Sequence, residues 1–113
     1  MRPLIAILVL SLAGCVSYSQ MRAKPPMITA ASEKSPDEVV GCIAPLWADL
    51  AQVSVFPDGN AQIINGTGAG PDQVLYQVSV QAAGEGSWIE YRQMTNRTGA
   101  GYGIAQSAVE SCR

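Results

Sequence analysis

Three cysteines and no histidine define the chemistry open to this chain of 113 residues. Without an imidazole, a serine or cysteine nucleophile lacks its usual base near neutral pH, and the commonest transition-metal ligand is missing. The carboxylates do not fill the gap. Asp37 and Glu38 follow Ser35-Pro36, where they complement the dipole of a starting helix, and Glu85 and Glu90 belong to one solvated hairpin. Sulfur is the better-placed element. Cys15 follows Ala13 and Gly14, small residues that let a peptidase groove approach the backbone beside an alkylatable thiol, while Cys42 and Cys112 stand far apart in the chain. No catalytic residue, metal ligand or cofactor is expected.

Polar, glycine-rich hexapeptides are the second candidate for chemistry. Asn65-Gly66-Thr67-Gly68-Ala69-Gly70 recurs as Asn96-Arg97-Thr98-Gly99-Ala100-Gly101, with five of six positions shared. Such loops expose backbone N–H groups that cradle anions, but neither copy carries the Gly-Lys-Ser/Thr of a phosphate loop. One precedes a strand and the other a helix, so both are read as flexible connections. A ligand-binding or hydrolytic protein would need Asn65, Thr67, Asn96 and Thr98 to converge on one pocket. Both copies also match the Asn-x-Thr acceptor pattern.

The elements that position these groups follow from periodicity. Ser35 caps a helix that has Pro36 at its first position and Glu38 placed for a capping box. Val39, Cys42, Ile43, Leu46 and Leu50 form its apolar face, and Pro45 predicts a kink or restart. Gln52 to Phe56 alternates as a strand, Phe56-Pro57-Asp58-Gly59-Asn60 supplies the turn, and Ala61 to Asn65 returns. A second hairpin joins Gln73–Gln81 to Ser87–Met94 through Gly84-Glu85-Gly86. From Tyr102, Ile104, Ala105, Ala108, Val109 and Cys112 recur on one face of a terminal helix. The expected fold is α+β: a small antiparallel sheet of four strands with an N-terminal and a C-terminal helix packed on one face. Trp47 belongs to the core. Trp88, Glu90 and Arg92 share the wet face and form the candidate contact surface for a partner, and an open sheet edge offers another.

Arg2, the apolar run Leu4–Leu12 and Leu12-Ala13-Gly14-Cys15 together resemble the lipobox signal of bacterial lipoproteins. The apolar run is too short for a spanning helix, which needs about 20 residues. The resemblance implies a diacylglyceryl group on the Cys15 sulfur, cleavage before Cys15 and acylation of the new amine. Two or three acyl chains, each buried methylene contributing about 0.8 kcal/mol, hold a protein lastingly on a bilayer. Val16 stands where the family carries Asp for inner-membrane retention, so the periplasmic face of the outer membrane is implied.

On this reading residues 1–14 are removed, 15–34 are the lipidated cysteine and a flexible tether, and 35–113 form one small periplasmic domain. Loss of Arg2 takes the formal charge from −2 to −3, leaving no basic tract for nucleic acid. With Cys15 lipidated in an oxidising compartment, Cys42 and Cys112 pair as the one intramolecular disulfide. A metal site lacks histidine, and a redox site would present Cys-x-x-Cys. The expected function is that of a non-enzymatic interaction or accessory module of the cell envelope, bound to the bilayer through Cys15 and to an envelope protein. The alternative is a periplasmic immunity or inhibitor protein against a toxin or lytic enzyme.

Overall fold

Strict alternation in Val74-Leu75-Tyr76-Gln77-Val78-Ser79-Val80 gives the central strand one apolar and one mixed face, and the layers of the molecule follow from that split. A computed structural model of the protein describes residues 17–68, 73–95 and 101–113. Along them run α1 (Tyr18–Ala23), β1 (Ile28–Ser32), α2 (Pro36–Ala48), β2 (Gln52–Asp58), β3 (Ala61–Thr67), β4 (Val74–Ala83), β5 (Gly86–Gln93) and α3 (Gly101–Cys112). The strands form one antiparallel sheet in the order β1-β5-β4-β3-β2. None of the described helices is long and apolar enough to cross a membrane.

The α+β class, the two hairpins and the packing of α2 and α3 on the sheet's apolar face agree with the sequence reading. The strand count does not: the sheet has five strands. The fifth, β1, pairs Ile28 with Tyr91 through Ser32 with Ser87, and it comes from the stretch read as tether. In isolation Ile-Thr-Ala-Ala-Ser has too little apolar alternation to announce a strand. The open edge of β5 supplies the hydrogen bonds, and Ala30 is buried against the core. Immediately before it, α1 carries a complete capping box: the Ser17 hydroxyl accepts from the Gln20 N–H at 3.3 Å, and the Gln20 side chain accepts from the Ser17 N–H at 2.9 Å. That Ser-x-x-Gln spacing was a readable helix start.

The core lies between the sheet and the α2–α3 layer. Val39, Ile43 and Trp47 of α2 and Ala105 and Val109 of α3 are fully buried with Ile64, Val78, Val80, Ile89 and Tyr91. Trp47 is its pivot, donating from Nε1 to the Ala105 carbonyl at 3.2 Å and meeting Tyr76 edge to face at 4.6 Å. Two side chains assigned to the apolar faces are not buried: Leu46 is 45% and Ile104 56% exposed. In α2 the positions spaced by four, 39, 43 and 47, take the contact, which rotates Leu46 outward. Pro45 neither ends nor restarts α2. It and Gly41, whose carbonyl it leaves without a helical partner, both stand on the exposed side, where that carbonyl is open to solvent.

Cys42 and Cys112 are joined, Cα to Cα 5.6 Å, so one covalent bond clamps α2 to α3. A closed loop of this size removes about 4 kcal/mol of chain entropy from the unfolded state.

Candidate functional site: the sheet face crossed by α1

The second face of the sheet is built from alternate residues of each strand, those opposite to the core-facing set. Across it run the rows Asp58–Ala61–Gln81–Trp88–Ala31, then Phe56–Ile63–Ser79–Glu90–Thr29, then Ser54–Asn65–Gln77–Arg92. It was expected to be wet. Instead α1 crosses it from the β2 side to the β5 side, and its own Met21, with Ile63 and Gln77 of the sheet beneath, is fully buried. At its start Tyr18 packs edge to face on Phe56 at 5.1 Å and donates its hydroxyl to Asp58 Oδ2 at 2.6 Å. Burial, then the Asp58 carboxylate, push the Tyr18 hydroxyl above the ordinary tyrosine range. Arg22 faces the same carboxylate at 3.7 Å. At the far end Lys24 Nζ donates to the carbonyls of Gln93 and Met94, each at 2.8 Å.

This arrangement divides the contact candidates. Trp88 is 41% exposed, in a row with Gln81 and Ala31 beyond the edge of α1. Glu90 is half-buried. Arg92 is only 8% exposed: its Nε donates to the Lys24 carbonyl at 2.7 Å and its Nη2 faces Glu90 at 3.7 Å. Arg92 therefore holds α1 on the sheet and does not meet a partner with Trp88. The sequence separation of two put all three on one face correctly, but it carried no sign that an upstream segment would cover one end of it.

Polar atoms under α1 are incompletely matched. Gln77 donates to Asn65 Oδ1 at 2.8 Å, yet Gln77 Oε1, Arg92 Nη1 and Arg22 Nη1 are buried without a hydrogen-bond partner. Each such atom costs about 1–3 kcal/mol, so α1 docks less firmly than its buried area suggests.

Beside the start of α1 lies a groove of about 410 Å³ lined by Ser17, Tyr18, Ser19, Ser54, Asn65 and Thr67. With Asn65 Oδ1 engaged by Gln77, the groove offers an amide N–H₂ and hydroxyls, which hydrogen-bond neutral polar groups but activate no nucleophile. Asn65, Gly66 and Thr67 of the first hexapeptide are thus the end of β3 and not a flexible connection. Gly66 is required there, because a Cβ would fall inside the Tyr76 ring. Asn96 and Thr98, the other members of the proposed convergence, lie outside the described residues, as do Cys15 and the segment resembling a lipobox. Among the described residues no three His, Cys, Asp or Glu side chains cluster as metal ligands. Compared with protein families, curated proteins and solved structures, the chain matches none.

Proposed function

We propose that this protein is a lipid-anchored module of the bacterial cell envelope, acylated with palmitate-type chains at Cys15 and held at the periplasmic face of the outer membrane, where it acts through contact with another envelope component. The observation that carries this reading is the use of sulfur. Cys42 and Cys112 are bonded to each other. Cys15, preceded by Leu12-Ala13-Gly14, is the one sulfur of the three cysteines left for lipid. A disulfide between two helices also suits an oxidising compartment. The surfaces available for contact are the exposed Trp88 region and the edges of β1 and β2, the outermost of the described strands, and backbone addition at an edge requires no special side chain.

The test is mass analysis of the protein expressed with its full leader in a bacterial host. A mature chain beginning at Cys15, heavier by a diacylglyceryl and an acyl group, supports the proposal. Cys15→Ser should abolish that mass and radiolabelling by palmitate. A retained leader or an unmodified start refutes it.

A further inference from the structure

Resting on lipidation of Cys15, we infer that the sheet face bearing α1 and Trp88 lies against the bilayer surface, with Trp88 as a second, non-covalent foothold at the headgroups. The length of the link argues for it. Ser17 is already the N-cap of α1, so Cys15 lies two residues along the chain from the first described element, a reach of at most about 7 Å. The tether read from composition would have allowed the domain to stand off and rotate. A link this short does not. To turn the α2–α3 layer towards lipid, the chain would have to pass round the β2 edge and past a helix layer about 10 Å thick.

Charge and aromatic placement favour the whole face over its β2 edge. At α1 and its C-cap, Arg22 and Lys24 stand against Asp58 and Glu90, with Arg92 buried beneath, whereas on or beside the α2–α3 layer the exposed Asp37, Glu38, Asp49 and Glu110 outnumber Lys34 and Arg113. The acidic side of the protein thus points away from an anionic headgroup surface. The outward residues of α1, Ser19, Gln20 and Ala23, are small or uncharged. Trp88 stands about 14 Å across the sheet from β2, on the same face and 41% exposed. An amphipathic indole at that position suits the level of the headgroups. This leaves the sheet edges, and not Trp88, for a protein partner.

The experiment uses the full-length lipidated protein reconstituted into phosphatidylcholine–phosphatidylglycerol vesicles with brominated acyl chains. Trp47 is fully buried, so the emission that responds to added quenchers belongs to Trp88, and Trp88→Phe supplies the background. The expected result is several-fold stronger quenching by brominated lipid than in Trp88→Phe, with loss of quenching by aqueous iodide. Lipid confirmed by mass with Trp88 still open to iodide overturns the orientation alone. So does protection that arises in envelope membranes but not in pure vesicles, which would make Trp88 a protein contact. Absence of lipid on Cys15 overturns both the orientation and the reading on which it rests.

Discussion

Met21→Ala separates a structural α1 from a tether. Met21 is fully buried between α1 and the sheet, and it is the one buried side chain of that helix. Full burial of a methionine contributes about 1.5–3 kcal/mol, and truncation to alanine in a core costs about 2–5 kcal/mol. The lower end applies here, because the unmatched Arg22, Arg92 and Gln77 atoms weaken the same interface and α1 can detach locally before the sheet unfolds. We therefore expect about 2 kcal/mol from urea unfolding of the non-lipidated domain beginning at Val16. Amide exchange should show early loss of protection at Met21 and Lys24, whose N–H groups bond Ser17 and Met21 carbonyls. Protection in β3 and β4 should fall only with global stability. A change within about 0.5 kcal/mol, the range of an ordinary surface substitution, would refute the packing of α1.

Replacing both Cys42 and Cys112 by alanine should destabilise the domain by about 4 kcal/mol, moving the thermal midpoint by some 15–30 °C in circular dichroism. Reduction of the parent should reproduce the shift, and an unchanged midpoint would remove the disulfide from the account. Gly66→Ala forces a methyl into the Tyr76 ring and should cost about 1–3 kcal/mol, with altered near-ultraviolet dichroism from Trp47 and Tyr76. High pH should destabilise the fold: burial raises the Tyr91 and Tyr76 hydroxyls above the ordinary tyrosine value, so they stay protonated in the folded state while the unfolded chain ionises. Their contribution is complete below about pH 10 and is lost above it at up to about 1.4 kcal/mol per pH unit for each group. Tyr91→Phe should flatten that alkaline slope in urea titrations, and an unchanged slope would dismiss Tyr91 as its source.

Much of the fold was readable where periodicity is strong and local. The alternation of 74–80 fixes which residues face the helices, and Ser35-Pro36 begins α2 as expected, with the Ser35 hydroxyl accepting from the Glu38 N–H at 3.3 Å. The inward faces of Cys42 and Cys112 make their pairing follow from two helices on one sheet. Less legible was the turn after β2. Phe56-Pro57-Asp58 looked like its start, yet the strand runs on to Asp58, because an edge strand tolerates a proline whose missing N–H faces no neighbour, and the turn begins at Gly59, which adopts positive φ, at 58°. The contact surface was half legible: Trp88 is exposed as read, and Arg92 is not.

What the sequence determined alone are the properties that neighbours a few residues apart impose on each other: caps, apolar stripes, alternating faces and tight turns. Only the tertiary structure decided that residues 18–23 and 28–32 belong to the domain. Ile28–Ser32 becomes a strand because β5 has an edge to fill, and Tyr18–Ala23 stays helical against the sheet because Phe56, Asp58 and Arg92, distant in sequence, receive it. Short elements of weak propensity gain their stability from such long-range partners, and no local pattern records where those partners will be.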